Sequence, residues 1–193
     1  TETKIDKQDF IKELLNDFSV MCLSREASLL GRKEVLTGKA KFGIFGDGKE
    51  LPQIVMAKFF RNGDIRSGYY RDQTFMMATD NLSVKEFFAG LYAHTDIQKE
   101  PTSAGRQMGG HFSTRLIDEN GKWLNLTEQK NSTSDISPTA GQMPRLVGLG
   151  LASKVYRNNK ELSHLTNFSK NGDEIAFGTI GDASTSEGVF WES

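Results

Sequence analysis

A short apolar stretch near the end of the chain, residues 174–180, is followed at once by a turn that contains glycine and aspartate. Its β-forming composition predicts a buried parallel strand, which Gly181 and Asp182 should end. Ser184 and Glu187 have the spacing of a capping box, so we expect a helix to begin there and to continue through the aromatic residues that follow. A strand, an acidic turn and a helix N-terminus together form a place for phosphate oxygens and for a metal ion that bridges them.

Asp182 is the candidate metal ligand in this turn. Backbone N–H groups at a helix start attract anionic oxygens, whereas a carboxylate repels them unless a cation lies between. Mg²⁺ commonly takes one or two carboxylates and completes its octahedron with phosphate oxygens and water. A simpler interpretation stays open on the residues alone, in which Gly181 and Asp182 only turn the chain and cap the helix.

The composition limits the partners and the compartment of the protein. The chain has 193 residues, enough for one domain with a real core. Its 24 basic and 25 acidic residues nearly cancel, which leaves no overall field to attract nucleic acid or an anionic membrane. A single cysteine, Cys22, excludes an internal disulfide and a cysteine-based zinc cluster and fits a reducing compartment. Because the sequence also lacks a membrane-length apolar run and a signal peptide, we expect a cytoplasmic protein.

Apolar spacing predicts the first two helices. Residues 7–31 should form a long amphipathic helix with Gly31 as its stop and with Met21 and Cys22 in the core. After a glycine-rich loop, a short helix should begin with Pro52 in its first turn. Its inward positions are expected to be Ile54, Val55, Ala57, Phe59 and Phe60.

Capping residues mark two later helices. Ser83 and Glu86 form a capping box, so a helix should run from there to about Tyr92. Ser137 should be the N-cap of another helix, because a proline follows it at the first helical position, and that helix should continue to about Arg157. Two glycines inside this later helix indicate close packing against a neighbour.

Residues 65–72 have the character of a strand that ends in charge. Arg71, beside the hydroxyl of Tyr70, could hold a diphosphate through a charge-assisted fork of hydrogen bonds. A surface salt bridge explains Arg71 equally well on the residues alone.

Residues 93–136 show little periodicity and contain many Gly, Ser, Thr and Asn. A loop that long in a compact domain is usually functional or mobile. Within it, the glycines of 105–112 would let the backbone approach a ligand, Arg106 could pair with a carboxylate, and His111 could move a proton. The alternative is a surface loop with an ordinary hydrogen-bonded histidine. The three histidines of the chain have no metal-ligand spacing.

Four short motifs, in this order, resemble the α part of the thiamine diphosphate-dependent 2-oxo acid dehydrogenase E1 components. They are Tyr-Arg at 70–71, Gly-Arg-Gln-Met at 105–108 with a following His, Ser-Pro-x-Ala-x-Gln at 137–142, and Gly-Asp-Ala-Ser-Thr-Ser-Glu-Gly at 181–188. The resemblance implies the thiamine diphosphate-binding fold, an α/β architecture with a doubly wound, mostly parallel sheet flanked by helices.

The resemblance also implies how the domain is divided. We expect residues 1–193 to be the N-terminal part of the cofactor-binding domain, with a helix and a glycine-rich lead-in over 1–50 and the start of the α/β core over 51–193. The first residue is not Met and the last lies inside a predicted helix. We therefore expect a fragment of a longer polypeptide, incomplete at the C-terminal end of the fold.

Roles for five residues follow from the resemblance. Tyr70 and Arg71 would contact the diphosphate of the cofactor. Ser137 would line the reaction centre, and Thr139 would touch the aminopyrimidine through its backbone. His111 would lie near the cofactor and near a subunit interface.

The last motif would supply the metal site. Asp182 would bind Mg²⁺, and Ala183 and Ser184 would belong to the cofactor-binding turn. Ala183 stands where the family usually has Gly, and the second protein ligand of the metal would lie beyond Ser193.

The reaction implied is the oxidative decarboxylation of a 2-oxo acid, either a branched-chain 2-oxo acid or pyruvate, and the wording of the motifs leans toward the branched-chain type. The acyl group would pass to a lipoyl group on an E2 acyltransferase. The glutamate that activates the cofactor belongs to an E1 β-type chain or domain, so residues 1–193 alone should be inactive. Two alternatives remain, a transketolase-like thiamine enzyme and a noncatalytic assembly domain that has lost cofactor binding.

Overall fold

Three short parallel strands form a sheet in the order β2-β1-β3 in the computed structural model, which describes residues 6–193. The central strand β1 (Ile65–Arg66) pairs with β2 (Asn131–Ser132) on one side and with β3 (Ala176–Phe177) on the other. The α-helices are α1 (Lys7–Leu36), α2 (Glu50–Phe59), α3 (Gln73–Ala78), α4 (Val84–Leu91), α5 (Gln142–Asn158) and α6 (Gly188–Glu192), and 3₁₀ turns cover Leu126–Glu128, Lys160–Leu162 and Ala183–Ser186. Helices interleaved with parallel strands agree with the predicted α/β class, while the double winding of the sheet stays a prediction.

Helix α1 is longer than predicted. It continues through Gly31 to Leu36. The absent side chain at Gly31 makes room for an aromatic ring, since a Cβ there would lie 2.5 Å from Cε1 of Phe45. The predicted core positions of this helix are wrong, since Cys22 is exposed and Met21 is only partly buried. Its buried positions are mostly small, namely Ser24, Ala27, Ser28, Gly31 and Glu34. Its exposed large apolar side chains are Phe10, Ile11, Leu14, Leu15, Phe18, Leu23, Leu29, Leu30 and Leu36.

The core consists of two apolar clusters on either side of α3. One cluster joins α1, α3 and α4 through Ala27, Ala40, Phe45, Met77, Phe87 and Leu91. The other joins α2 and α3 to the loop at 112 through Ala57, Phe60, Phe75, Met76 and Phe112. Phe75 is 1% exposed and stacks on Phe177 of β3, so the second cluster fixes α3 against the sheet.

The capping box that starts α4 is confirmed. The hydroxyl of Ser83 accepts from the N–H of Glu86, and the Glu86 carboxylate accepts from the N–H of Ser83. In α2, the inward positions of Ile54 and Ala57 are confirmed, and so is the burial of Phe60, which is the C-cap of this helix. Val55 and Phe59 are 47% and 77% exposed, so their predicted burial is wrong.

The segment predicted as a long loop contains strand β2, which the sequence did not reveal. Asn131 and Ser132 are each 1% exposed although both are polar, so no apolar pattern marks the strand. Their burial is compensated by hydrogen bonds, such as the one that the Asn131 amide donates to the carbonyl of Leu126 at 2.8 Å.

Helix α5 begins later than predicted, at Gln142, and Ser137 is not its N-cap. The reason is the backbone of Ala140, whose φ of +60° is left-handed and cannot belong to a right-handed helix. The predicted close packing at Gly148 and Gly150 is wrong within the part of the chain that the structure describes, since a Cβ at either would meet nothing within 4 Å.

Within residues 6–193 the final strand pairs only with β1, and it is less buried than predicted. Ile175 beside it is 55% exposed, and Ala176 and Phe177 are partly buried. The predicted capping box does not form, because residues 183–186 make a 3₁₀ turn and Glu187 is the N-cap of α6. No helix within residues 6–193 is long and apolar enough to cross a membrane.

Candidate functional site

Loops that follow the three strands carry most of the predicted site residues. Residues 67–72 follow β1, residues 133–139 follow β2, and residues 178–182 follow β3. Because the strands are parallel, their carboxyl ends lie at the same edge of the sheet. This edge is where open α/β sheets bind their ligands.

The loop after β1 presents two neighbouring tyrosine rings, tilted at 55° to each other, and the guanidinium of Arg71. The ring centroids of Tyr69 and Tyr70 are 4.7 Å apart, and the guanidinium of Arg71 lies 5.7 Å from the centre of the Tyr70 ring. Arg71 is partly buried and forms no ion pair with any described residue. The surface salt bridge considered for Arg71 is therefore not made within residues 6–193, and its charge is available to an anion.

Neighbouring segments hold the backbone of this loop closely. The carbonyl of Arg71 accepts from the side-chain amide of Gln53 at 2.9 Å. A Cβ at Gly46 would lie only 2.5 Å from that carbonyl oxygen, and one at Gly110 would lie 3.2 Å from the carbonyl oxygen of Tyr70. Gly110 also has a φ of +89°, which favours glycine. The position of the Tyr70 and Arg71 backbone therefore depends on two bare glycines.

The turn after β3 packs beside Tyr69. A Cβ at Gly181 would lie 3.8 Å from Cε2 of Tyr69. Burial raises the pKa of Tyr69; Arg71 lowers that pKa, whereas the negative charges of Asp72 and Asp182 raise it. Arg71 and Asp182 therefore act on one tyrosine from two different strand ends.

Asp182 is exposed and forms no ion pair with a described residue. Ala183 and Ser184 follow it in the 3₁₀ turn, where the N–H of Ser184 donates to the carbonyl of Gly181 at 3.1 Å. Within residues 6–193, no group of three His, Cys, Asp or Glu side chains could hold a metal ion. The exposed carboxylate of Asp182 suits Mg²⁺, which binds through one or two carboxylates together with phosphate oxygens and water.

His111 and Ser137 form a hydrogen-bonded pair. Nε2 of His111 lies 3.2 Å from the hydroxyl of Ser137, and Nδ1 lies 2.9 Å from the carbonyl oxygen of Met108. A carbonyl can only accept, so Nδ1 carries the proton and Nε2 of the neutral ring accepts from Ser137. Thr139 is exposed, and its side chain makes no hydrogen bond with another described residue.

The sequence profile described as Dehydrogenase E1 component matches residues 19–193. The chain belongs to this family. The chain is 28% identical over 187 residues to the 2-oxoisovalerate dehydrogenase subunit alpha of Bacillus subtilis (strain 168), a match that covers 94% of the chain and 46% of the relative. It thus spans about half the length of the curated relative it matches. The family predicted from the four motifs is confirmed.

Three buried charged residues lie beneath the site and were not identified from the sequence, namely Arg66, Asp72 and Asp135. Arg66 of β1 is fully buried between Asp72 and Asp135, at 2.8 Å and 3.1 Å from their carboxylate oxygens. Burial raises the pKa of Asp135 to about 6; Arg66 lowers this pKa, and Asp72 raises it further. A charged arginine inside a predicted strand is the sequence signal that points to Arg66. No local pattern predicts that Arg66 contacts Asp135, because the two residues are 69 positions apart in the chain.

Proposed function

We propose that the chain is the α-type part of a 2-oxo acid dehydrogenase E1 component, which decarboxylates a 2-oxo acid with thiamine diphosphate and Mg²⁺ and passes the acyl group to a lipoyl group. The observation that carries the proposal is that Arg71 and Asp182, neither of which forms an ion pair with a residue in 6–193, both lie near Tyr69 at the ends of β1 and β3. A diphosphate needs a cation, and a divalent metal needs a carboxylate, so a metal diphosphate complements both charges.

The residues of this chain divide into two groups around the cofactor. Arg71 and Tyr70 would bind the diphosphate, and Asp182 would bind Mg²⁺ in the turn that includes Ala183 and Ser184. At the other end, Ser137, His111 and Thr139 would face the reactive part of the cofactor. When bound, thiamine diphosphate supplies the nucleophilic carbon and the electron sink for decarboxylation.

The protein side of the chemistry is orientation and proton handling. The carbonyl of Met108 fixes the tautomer of His111, so that Nε2 is the nitrogen that accepts a hydrogen bond from the Ser137 hydroxyl. This pair could hold or release a proton next to the substrate carboxylate or carbonyl. Close glycine contacts behind Tyr70 and Arg71 keep the diphosphate end of the site in place.

The substrate is a branched-chain 2-oxo acid in this proposal, because the similar Bacillus protein is named for 2-oxoisovalerate. Pyruvate is the competing substrate, since a pocket distinguishes acids that differ by a methylene by only about 1–3 kcal/mol. The partners would be an E1 β-type chain or domain, which contributes the activating glutamate, and a lipoyl-bearing E2 acyltransferase. A cytoplasmic location is the corresponding expectation.

The test uses the whole protein together with its β partner. Decarboxylation of 3-methyl-2-oxobutanoate and of pyruvate is measured with an artificial electron acceptor, with and without thiamine diphosphate and Mg²⁺. Asp182→Ala should abolish turnover, and Asp9→Ala, which removes an exposed carboxylate from the first turn of α1, should leave turnover intact.

Each result has a distinct meaning. Cofactor-dependent turnover that only Asp182→Ala abolishes supports the E1 assignment, and the preferred acid identifies the substrate. Tight cofactor binding without turnover of either acid would indicate another thiamine-dependent reaction. No cofactor binding by the wild-type protein would refute the proposal in favour of a noncatalytic assembly role.

A further inference from the structure

A buried cluster of charged side chains lies beneath the three strand-end loops. Arg66 is 0% exposed, Asp72 is 1% exposed and Asp135 is 3% exposed. We call these three residues the ionic triad. One guanidinium faces two carboxylates, so the triad is not a simple ion pair. A buried salt bridge is weak evidence for stability, because desolvation of the charges offsets their attraction. The role of the triad therefore follows from the backbone and side-chain groups to which it is hydrogen-bonded.

Arg66 fixes the loop that carries the diphosphate residues. Its Nη2 donates to the carbonyl of Tyr69 at 2.9 Å, and its Nε donates to Asp72 at 2.9 Å. The loop closes directly over these bonds, because a Cβ at Gly68 would lie 2.2 Å from both Nε of Arg66 and Oδ2 of Asp72. The residues next to Tyr69 and before Asp72 are Tyr70 and Arg71, so the triad determines where these two side chains start.

Asp135 fixes the two segments that carry the His111–Ser137 pair. It lies two residues before Ser137 in the loop after β2, and its carboxylate accepts from the backbone N–H of Phe112 at 3.3 Å. Phe112 directly follows His111. A single carboxylate thus holds the backbone next to both members of the pair, while its other contact is to the guanidinium of Arg66 at 3.1 Å.

Asp72 connects the triad to the third loop. Its Oδ2 accepts from the hydroxyl of Thr179, which lies between β3 and Asp182. All three strand-end loops therefore meet at one buried guanidinium, through Tyr69 and Asp72 after β1, Asp135 after β2 and Thr179 after β3.

We propose that Asp135 is a positioning residue, which acts through Arg66 to set the distance between the diphosphate-binding loop and the segments that carry His111 and Ser137. This inference rests on the proposed function, because a fixed distance matters only to a ligand that contacts both ends of the site. Thiamine diphosphate spans the two ends, whereas inorganic diphosphate contacts only the first. Asp135 itself need not touch the cofactor.

The experiment compares two ligands on three proteins. Binding of thiamine diphosphate and of inorganic diphosphate, each with Mg²⁺, is measured by titration calorimetry on the whole protein with its β partner, for the wild type, Asp135→Asn and Asp64→Asn. Asp64 is the matched control, since it is 2% exposed, lies at the opposite end of β1 and accepts from the N–H groups of Arg61 and Ile175 at 2.8 Å each.

Asp135→Asn should weaken the affinity for thiamine diphosphate about tenfold or more and leave the affinity for inorganic diphosphate within about twofold of the wild type. A small shift between the two ends of the site affects only a ligand that contacts both ends. Asp64→Asn should leave both affinities unchanged. Equal losses for the two ligands would indicate a general structural role and would overturn the inference. So would unchanged binding of thiamine diphosphate by Asp135→Asn.

Failure of the underlying function is recognised separately. If the wild-type protein binds no thiamine diphosphate, the proposed function falls and this inference falls with it. If Asp135→Asn does not fold, Ser132→Ala replaces it, because the Ser132 hydroxyl accepts from Nη1 of Arg66 at 2.7 Å and its loss also loosens the guanidinium. The same selective loss of thiamine diphosphate is expected, and equal losses for both ligands would again overturn the inference.

Discussion

Titration of Asp135 should lower the unfolding free energy of the protein as the pH rises, and Asp135→Asn should remove this part of the pH dependence. Burial raises the pKa of this carboxyl from 3.8 to about 6, with Arg66 opposing the rise and Asp72 adding to it. The folded protein therefore binds this proton more tightly than the unfolded chain does. Its contribution to stability is fully present below pH about 4 and is lost as the pH rises through about 6. The gap between the two pKa values corresponds to about 3 kcal/mol.

The measurement is urea unfolding of both proteins between pH about 4 and 8, followed by tryptophan fluorescence. The other titrating groups are the same in the two proteins, so the difference between their unfolding free energies isolates Asp135. Asparagine resembles the protonated carboxyl, and Arg66 keeps Asp72 as its counter-ion, so the variant should fold. The wild type should lose about 2–3 kcal/mol relative to the variant across this range. Parallel curves would refute the reasoning, and an opposite slope would mean that the attraction of Arg66 outweighs burial.

The remaining predictions concern packing and capping. Phe75→Ala should destabilise the protein by about 3–5 kcal/mol in urea unfolding because the ring is 1% exposed, whereas Phe59→Ala, at 77% exposure, should change little. Gly46→Ala should lower the unfolding free energy by about 1–3 kcal/mol and weaken thiamine diphosphate binding, since its Cβ would lie 2.5 Å from the carbonyl oxygen of Arg71. Gly148→Ala has open space around it and should instead stabilise α5 by up to about 1 kcal/mol. Equal thermal shifts for the two glycine variants would contradict this. Ser83→Ala should cost about 1 kcal/mol through loss of the α4 cap, and an unchanged unfolding midpoint would count against it.

Local signals in the sequence were reliable where the interaction is itself local. Ser83 and Glu86 are three residues apart and satisfy each other's backbone N–H groups whatever the rest of the chain does. The same spacing failed at Ser184 and Glu187, where the chain forms a 3₁₀ turn instead. A capping box therefore predicts a helix start only where the tertiary structure lets a regular helix begin.

The family could be predicted from the sequence because its four motifs consist of residue types in a fixed order, and the sequence shows both. Their placement on parallel strand ends follows once strands are recognised before Tyr70 and Asp182, since parallel strands bring their carboxyl ends to one edge. Strand β2 could not be recognised, because its residues are polar and its burial comes from hydrogen bonds with distant segments.

The family, the α/β class and the candidate residues Tyr70, Arg71 and Asp182 could all be predicted from the amino-acid sequence. Two features became visible in the folded protein alone: Ser137 pairs with His111 instead of capping a helix, and the three strand-end loops meet around a buried arginine. The physical reason is range: capping and strand periodicity act over a few residues, whereas burial and charge pairing depend on side chains that folding brings together from far apart in the chain.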